Sequence, residues 1–268
     1  MAVSGGVDSV VLLDMLSRLT DHELIVAHFD HGIRADSAED AAFVEGLAKS
    51  YDLPFETLRE ELGPRASEEL ARTRRYEFLR QLAIKHAARI VTAHHADDAV
   101  ETVAINVKRG TGWRGLAVLD SDIVRPLLDM SKAELRDYAD KHSLKWHEDS
   151  TNASDAYLRN RIRQTLATLS DDEKRQILAL RQQQLASKKM IDKEVARLVG
   201  PGPHYSRYFF THVPKSVAME CLRFATEGKL TRPQLERTLL AIKTAAPGST
   251  KQAGVGINLS FTTRNFSF

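Results

Sequence analysis

Residues 1–19 read MAVSGGVDSVVLLDMLSRL, and at their centre lies the hexapeptide Ser4-Gly5-Gly6-Val7-Asp8-Ser9. A short apolar run precedes the hexapeptide, and a helical pattern over residues 10–19 follows it. Glycines let a backbone approach an anion closely, and the N-terminus of a helix presents unpaired N–H groups to it. This order predicts a phosphate-binding loop, to which Ser4 and Ser9 add hydroxyl donors.

The predicted loop differs from two common nucleotide-binding loops. It lacks the lysine of G-x-x-x-x-G-K-[ST], and its glycine spacing does not fit G-x-G-x-x-G, so kinase-type and dinucleotide-binding loops are excluded. Asp8 would repel a bare phosphate, but Mg²⁺ favours a carboxylate together with phosphate oxygens. Asp8 is therefore a candidate metal ligand, and the alternative is a glycine-rich turn whose aspartate only caps the helix.

The first half of the chain alternates short β-branched apolar runs with helical patterns. Strands are predicted at residues 1–3, 24–29, 55–58 and 90–93. Helices are predicted at residues 10–19, 37–51 and 67–87. Such repeats give an α/β fold with a mostly parallel, doubly wound sheet, whose ligands bind at the carboxyl ends of the strands.

Beyond Pro126 the pattern becomes helical, with Ser131 and Ser170 as predicted N-caps. Helices are predicted at 132–142, 171–199, 214–226 and 232–245, followed by a hairpin in 255–268. We expect three parts: a catalytic domain at 1–165, a linking helix at 166–200 and a small, mainly helical domain at 201–268.

Composition narrows the class of protein. Cys221 is the only cysteine, which excludes Cys-based zinc sites and a disulfide framework. No apolar run approaches the roughly 20 residues of a membrane span, and no export signal is found, so we expect a cytoplasmic protein.

Residues 1–150 carry 19 Lys and Arg against 27 Asp and Glu, whereas residues 151–268 carry 19 Lys and Arg against 9 Asp and Glu. The basic half favours a polyanion such as nucleic acid, and the alternative is a solvated basic surface.

Two further segments begin at the ends of predicted strands and carry polar side chains. The segment AHFDHGIR, residues 27–34, supplies the candidates His28, Asp30, His31 and Arg34, or else forms only a satisfied loop network. The segment TAHHADDAVET, residues 92–102, opens a helix with Asp97 as its predicted N-cap. Asp98 and Glu101 are three residues apart and share a helix face, so they can bind an ammonium group, hold Mg²⁺ or act as a base. The alternative is that these acids only complement the helix dipole.

The hexapeptide resembles the PP-loop of the N-type ATP pyrophosphatases, a family that cleaves ATP to AMP and pyrophosphate. Residues 27–34 and 92–102 resemble the corresponding segments of its tRNA(Ile)-lysidine synthetase branch, with departures at Ile33 and Ala99. Further similar segments follow in the same order at 109–116, 125–128, 148–152 and 159–163. The resemblance covers about residues 3–165, and the remainder is similar to the branch's tRNA-binding domain only in size, charge and pattern.

The resemblance implies roles for individual residues. The implied catalytic residues are Asp8, His94, Asp98 and Glu101. The implied ATP-binding residues are Ser4, Gly5, Gly6, Val7, Asp8, Ser9, His28, Asp30, Arg34, Arg109 and Gly110. The implied substrate-binding residues are His31, Asp98, Glu101, Arg125, Arg159, Asn160 and Arg163. Asp8 and Asp97 are the implied Mg²⁺ ligands.

The resemblance also implies a reaction and partners. ATP would adenylylate the wobble cytidine of isoleucine tRNA with a CAU anticodon, and free lysine would then displace AMP to form lysidine. A short form without the last C-terminal domain is expected, no membrane partner is expected, and the oligomeric state stays open, a homodimer included. The alternatives are a tRNA thiolase, against which the single cysteine argues, and a binding protein without turnover.

Overall fold

The computed structural model describes residues 1–32, 37–63, 66–147, 158–200, 202–254 and 256–268, with backbone alone at 158–160. They form two compact units, Met1–Leu185 and Ala186–Phe268. The division falls inside the helix Asp171–Val199, so the segment predicted as a linking helix contributes to both units. No helix within these ranges is long and apolar enough to cross a membrane.

The first unit is built on a parallel arrangement of short extended segments. Strand β1 (Val26–Asp30) pairs in parallel with β2 (Phe55–Arg59). Residues 1–3 and 90–93, predicted as strands, take part only through the single parallel bridges Ala2–Ala27 and Val91–Val124. The Ala2 N–H donates to the Val91 carbonyl at 2.9 Å, which places these two segments side by side. In chain order, residues 1–3 are the first segment, β1 the second, β2 the third, residues 90–92 the fourth and Val124 the fifth. Side by side they lie in the order 3-2-1-4-5, and the crevice of such a sheet lies between the first and fourth segments.

Helices cover both faces of this sheet, as the alternation of side chains along each strand requires. One face carries Val26, Val3 and Val91 against α1 (Val7–Leu19) and the helices packed beside it. The opposite face carries Ala2, Ala27 and Phe29 against α3 (Glu68–Lys85). The α/β fold with a sheet covered on both sides, predicted from the sequence, is confirmed.

Most other helices of the first unit lie close to their predicted positions. The helices are α2 (Ser37–Ser50), α4 (Ala96–Lys108), α5 (Lys132–Lys141), α6 (Leu158–Leu166) and α7 (Asp171–Val199), with a short 3₁₀ helix at Trp113–Leu116. Of these, α6 and the 3₁₀ helix were not predicted. Ser131 caps α5 as predicted, because its hydroxyl accepts from the Glu134 N–H at 3.2 Å. The prediction that Asp97 caps α4 is wrong, since His95 occupies that position and Asp97 lies inside the first turn.

The second unit combines helices with an antiparallel sheet. Its helices are α8 (Arg207–His212), α9 (Lys215–Ala225) and α10 (Arg232–Thr244). Its strands are β3 (His204–Ser206), β4 (Thr250–Gly254), β5 (Ile257–Phe261) and β6 (Asn265–Ser267), in the order β3-β6-β5-β4. The hairpin predicted in 255–268 is therefore β5–β6, and β3 and β4 are strands that the pattern did not predict.

A buried carboxylate ties together three parts of the first unit. Asp14 on α1 is fully buried and accepts hydrogen bonds from the hydroxyls of Tyr51 and Tyr138 at 2.7 and 2.8 Å. The Arg18 Nε–H donates to the same carboxylate at 2.9 Å. Burial favours the neutral acid, but the hydrogen bonds from Tyr51, Arg18 and Tyr138 outweigh it and lower the pKa of Asp14. The network fixes α1 against α5 and the residue that follows α2.

Replacing Asp14 by Asn is expected to lower the free energy of unfolding by about 1–3 kcal/mol, because it weakens charge-assisted hydrogen bonds to a buried group. Urea denaturation followed by circular dichroism measures the change. Asp21→Asn is the matched control, since Asp21 is exposed, and it is expected to stay within about 0.5 kcal/mol of the wild type. Equal midpoints for the two variants would contradict a stabilising role of Asp14.

Candidate functional site

The loop Ser4–Ser9 has the geometry of an anion-binding turn. Gly5 has a φ of +91°, a left-handed conformation that favours glycine. The Ser9 hydroxyl donates to the Gly6 carbonyl at 2.8 Å and accepts from the Ser4 N–H at 3.2 Å. The loop is thus held by its own side chains, and Gly6 leads directly into α1 at Val7. Backbone N–H groups at the start of α1 remain available for an anion.

A segment that sequence reasoning missed packs beside this loop. The His147 N–H donates to the Gly5 carbonyl at 3.0 Å, and its ring Nδ1 lies 2.8 Å from Asp40 Oδ1. The ring of Phe43 stacks on His147 with centroids 4.2 Å apart. A cavity of about 530 Å³ is lined by Phe43, Leu144, Lys145, Trp146 and His147. Only the tertiary structure brings this cavity next to the loop.

A cluster of carboxylates and cations lies where the first and fourth sheet segments end. The Lys132 ammonium donates to both oxygens of Asp8, at 2.6 and 2.7 Å. The Lys132 backbone N–H donates to Asp97 Oδ2 at 2.8 Å, and the Lys174 ammonium donates to Asp97 Oδ1 at 3.0 Å. Lys132 therefore bridges the two predicted metal ligands. We call Asp8, Asp97, Asp98, His95 and Lys132 the carboxylate cluster.

The ring of His95 lies inside the carboxylate cluster. Its Nε2 is 3.8 Å from Asp8 Oδ2 and 3.5 Å from Asp98 Oδ2, and its Nδ1 is 3.8 Å from Asp97 Oδ2. The His95 N–H donates to Asp98 Oδ2 at 3.0 Å, which fixes Asp98 at the first turn of α4. Burial disfavours ionisation of Asp97, but the hydrogen bonds from Lys132 and Lys174 outweigh it and lower the pKa of Asp97. Asp97 is therefore held as an anion.

His94 is set apart from the charged cluster by its environment. Its Nδ1 lies 2.8 Å from the Thr92 hydroxyl. Burial lowers the pKa of His94 from 6.5 to about 4, against the opposing field of Asp98. The imidazole is consequently neutral at physiological pH and can accept a proton, although its low pKa makes it a weak base.

Glu101 lies one helical turn after Asp98 on α4. It is buried, and its Oε2 accepts from the Arg163 Nε–H at 2.6 Å. This ion pair joins α4 to α6 and places a predicted RNA-binding arginine against a predicted lysine-binding acid. Glu101 is thus already matched to a cationic group.

The candidates of residues 27–34 are organised by local contacts. His28 is buried and its Nδ1–H donates to the Val3 carbonyl at 2.9 Å, since a carbonyl can only accept. Asp30 Oδ1 accepts from the Gly32 N–H at 2.9 Å, and Asp30 Oδ2 lies 3.4 Å from the Arg59 guanidinium. The rings of Phe29 and His31 meet edge to face at 4.9 Å. His28 and Asp30 therefore brace the carboxyl end of β1, and Arg34 lies outside the described residues.

Of two predicted arginine sites, one lies a helix length away from the carboxylate cluster and the other holds a loop. Arg109 follows the 13-residue helix α4, whose length of about 20 Å separates it and Gly110 from His95 at the other end. Arg125 donates to the carbonyls of Leu119 and Ile123 at 3.0 and 3.2 Å, so it holds the loop before it. The side chains of Arg159 and Asn160 lie outside the described residues. The structure adds Lys132 and Lys174, which no motif singled out, and His95, which lies in the segment 92–102 but was not among the candidates.

The residues present fit a bound Mg²⁺, although the described ranges contain no group of three His, Cys, Asp or Glu side chains that converges on one point. Mg²⁺ is usually held by one or two carboxylates together with substrate phosphates and water, so a protein cage is not required. Asp8 and Asp97 each bind an ammonium group, which indicates that the field at both carboxylates favours a cation.

Comparison with known proteins places these residues in context. Residues 1–169 match the family described as PP-loop domain. The tRNA(Ile)-lysidine synthase of Solibacter usitatus is 42% identical over 172 residues, covering 62% of this chain and 39% of that protein. The enzyme of the same name from Geobacter sulfurreducens is 40% identical over 181 residues, which cover 62% of this chain and 38% of that protein. The chain thus spans about two fifths of the length of these curated relatives.

One solved structure shares the fold at low sequence identity. The U34-tRNA thiolase NcsA from Methanococcus maripaludis superposes with a TM-score of 0.55 and 18% identity, over 69% of this chain and 70% of that chain. At this identity the likeness shows the fold alone.

Acid is expected to destabilise the protein through His94. The pKa of this group is lowered on folding, so between about pH 6.5 and 4 the unfolded chain binds a proton that the folded chain does not, and stability falls with the pH. The difference in unfolding free energy between wild type and His94→Asn should shrink by roughly 1–2 kcal/mol from about pH 7 to about pH 5. Urea denaturation at each pH measures it, with the exposed His22→Asn as control. A difference that does not change with pH would contradict the burial effect.

Proposed function

The chain belongs to the PP-loop domain family, and on that premise we propose that it is an ATP-dependent ligase acting on isoleucine tRNA. It joins lysine to C2 of the wobble cytidine of the CAU anticodon and releases AMP and pyrophosphate. One observation carries this proposal. The chain is 42% and 40% identical to two tRNA(Ile)-lysidine synthases over a stretch that includes the loop and the carboxylate cluster.

The proposed chemistry needs an activated base. The oxygen on C2 of cytosine is a poor leaving group, so an amine attacks slowly unless that oxygen is first converted into an ester of AMP. Attack of the base oxygen on the α-phosphate of ATP forms this ester and expels pyrophosphate. Attack of the lysine ε-nitrogen on C2 then breaks the bond to AMP. Both steps create charge that a prearranged site stabilises.

The loop and the carboxylate cluster are proposed to bind ATP. The Ser4–Ser9 loop receives the pyrophosphate portion through the N-terminus of α1 and the two serine hydroxyls. Asp8 and Asp97 would hold Mg²⁺, which neutralises phosphate charge when bound. Lys132 now neutralises Asp8, and its ammonium is half-exposed, so it can turn from the carboxylate to a phosphate oxygen. The crevice between the first and fourth sheet segments supports this position for the nucleotide.

Asp98 and Glu101 are proposed to receive the lysine substrate. The ε-ammonium of lysine has a pKa of roughly 10.4 and must lose a proton before it can attack. Two carboxylates on one face of α4 can position the ammonium and accept this proton, and His94 is the alternative base. Glu101 is paired with the Arg163 guanidinium, so a lysine ammonium bound at Glu101 would share or replace that partner. His31, Arg125 and Arg163 are proposed to face the tRNA, together with Arg159 and Asn160.

The thiolase alternative is disfavoured by the only cysteine. Cys221 is buried in the second unit, and burial raises the pKa of its thiol to about 11. A thiol of this kind is not a nucleophile at neutral pH. A binding protein without turnover stays the second candidate, and measurement of AMP separates it from an enzyme.

AMP release from ATP is expected to require both unmodified isoleucine tRNA with a CAU anticodon and lysine. The reason is that the base must be present to accept the adenylyl group and the amine must be present to displace it. Chromatographic measurement of AMP, with each component omitted in turn, tests this. AMP release that is the same without lysine would show that another amine is the nucleophile. No AMP release at all would favour a binding protein without turnover.

Asp8→Asn is expected to reduce AMP formation roughly a hundredfold or more while the protein stays folded, because it removes the charge that faces the loop. The control is Asp137→Asn, which makes the same chemical change at an exposed position on α5 and is expected to keep full activity. Circular dichroism checks folding of both. Full activity of Asp8→Asn would remove Asp8 from the mechanism.

A further inference from the structure

The second unit contains a groove that the proposed chemistry does not use. A cavity of about 510 Å³ lies between one face of α10 and the strand β4. Gln234, Arg237 and Thr238 line it from the helix, Lys251 and Gln252 line it from the strand, and Leu259 lies at its floor. Strand β4 is at the end of the sheet order β3-β6-β5-β4, so it pairs with β5 on one side alone among the described strands.

The groove carries positive charge that is not neutralised. Arg237 and Lys251 are exposed, and neither makes an ion pair with any residue that the structure describes. Residues 237–268 include no Asp or Glu at all. The preceding acid, Glu236, turns away and pairs with Lys215 at 3.1 Å and Arg232 at 3.8 Å. An anion therefore fits the groove better than a cation.

The other carboxylates of the second unit are also engaged elsewhere. Residues 186–268 hold 13 Lys and Arg against 5 Asp and Glu, a net charge of +8. The four acids besides Glu236 pair with cations close to them in the chain: Asp192 with Lys188, Glu194 with Arg197, Glu220 with Arg223 and Glu227 with Lys229. These pairs leave an excess of positive charge on the second unit, and the groove carries part of that excess.

The polar groups of the groove match a phosphate backbone. Thr238 is 2% exposed, and its hydroxyl has no hydrogen-bond partner among the described residues, a state that a bound ligand can relieve. Two glutamine amides lie beside the two cations. Arg, Lys, Gln and Thr are side chains that contact phosphate oxygens. The lining includes no aromatic ring, so bases have no stacking platform here.

We propose that this groove binds the phosphodiester backbone of the tRNA without reading its bases. The assignment rests on the proposed function, which supplies a tRNA as the polyanion. Arg237 and Lys251 contact phosphates directly, and the glutamines and Thr238 add hydrogen bonds. The groove then contributes affinity that depends on salt and not on sequence.

The test compares two double variants that each remove two positive charges from the second unit. Arg237→Gln with Lys251→Gln changes the groove, whereas Arg197→Gln with Lys229→Gln changes cations that are paired elsewhere with Glu194 and Glu227. Fluorescence anisotropy with labelled isoleucine tRNA measures affinity at several salt concentrations. The groove variant should bind roughly tenfold more weakly at low salt, with a salt slope smaller by about 2, and the control should be close to wild type. Thermal melting checks that both fold.

The outcomes separate this assignment from the proposed function. Equal affinity and salt slope in the groove variant and wild type would overturn the groove while lysine-dependent AMP release still stands. Wild type that binds tRNA through the groove without releasing AMP would overturn the ligase and keep the groove, whereas wild type that binds no tRNA overturns both. If the groove variant loses binding to labelled poly-glutamate but not to tRNA, the groove belongs to an acidic peptide that adds to the edge of β4, and the RNA assignment is wrong.

Discussion

The hydrogen bond from the Ala2 N–H to the Val91 carbonyl sets the first and fourth extended segments of the sheet side by side. Each segment ends in a loop that leads into the first turn of a helix, which carries Asp8 in α1 and, after the N-cap His95, Asp97 and Asp98 in α4. Because parallel segments end at the same edge, these two loops must meet there. The carboxylate cluster is therefore a consequence of strand order, and it would not exist if the two segments were separated by a third.

Carboxylates that meet in this way repel one another unless cations lie between them. Lys132, in the first turn of α5, offsets this repulsion, because its backbone N–H donates to Asp97 and its ammonium donates to Asp8. Lys174 on α7 supplies a second ammonium to Asp97. Beneath the cluster, Asp14 fixes α1 against α5 through Tyr138, so the elements that carry Asp8 and Lys132 are held in register. The site and the scaffold thus depend on the same pair of helices.

The structure also separates residues that the motifs had grouped together. His28 bonds to the Val3 carbonyl and Arg125 bonds to the carbonyls of its own loop, so both support backbone close to the site. Glu101 and Arg163 neutralise each other, although the motifs assigned them to different substrates. Arg109 lies a whole helix away from His95. A motif fixes the order of residues along a chain, whereas side-chain partners depend on which elements pack together.

By itself, the sequence determined the α/β class, the position of the Ser4–Ser9 loop before α1 and the helices other than α6 and α8, because hydrophobic periodicity, capping residues and glycine spacing are local signals. The tertiary structure decided which charges meet: Lys132 with Asp8, Lys174 with Asp97 and Arg163 with Glu101 are separated by 124, 77 and 62 residues. It also decided that residues 1–3 and 90–92 pair only through single bridges and that β3 and β4 join the hairpin. Pairing across such distances depends on packing and strand order, and no local pattern in the chain records either.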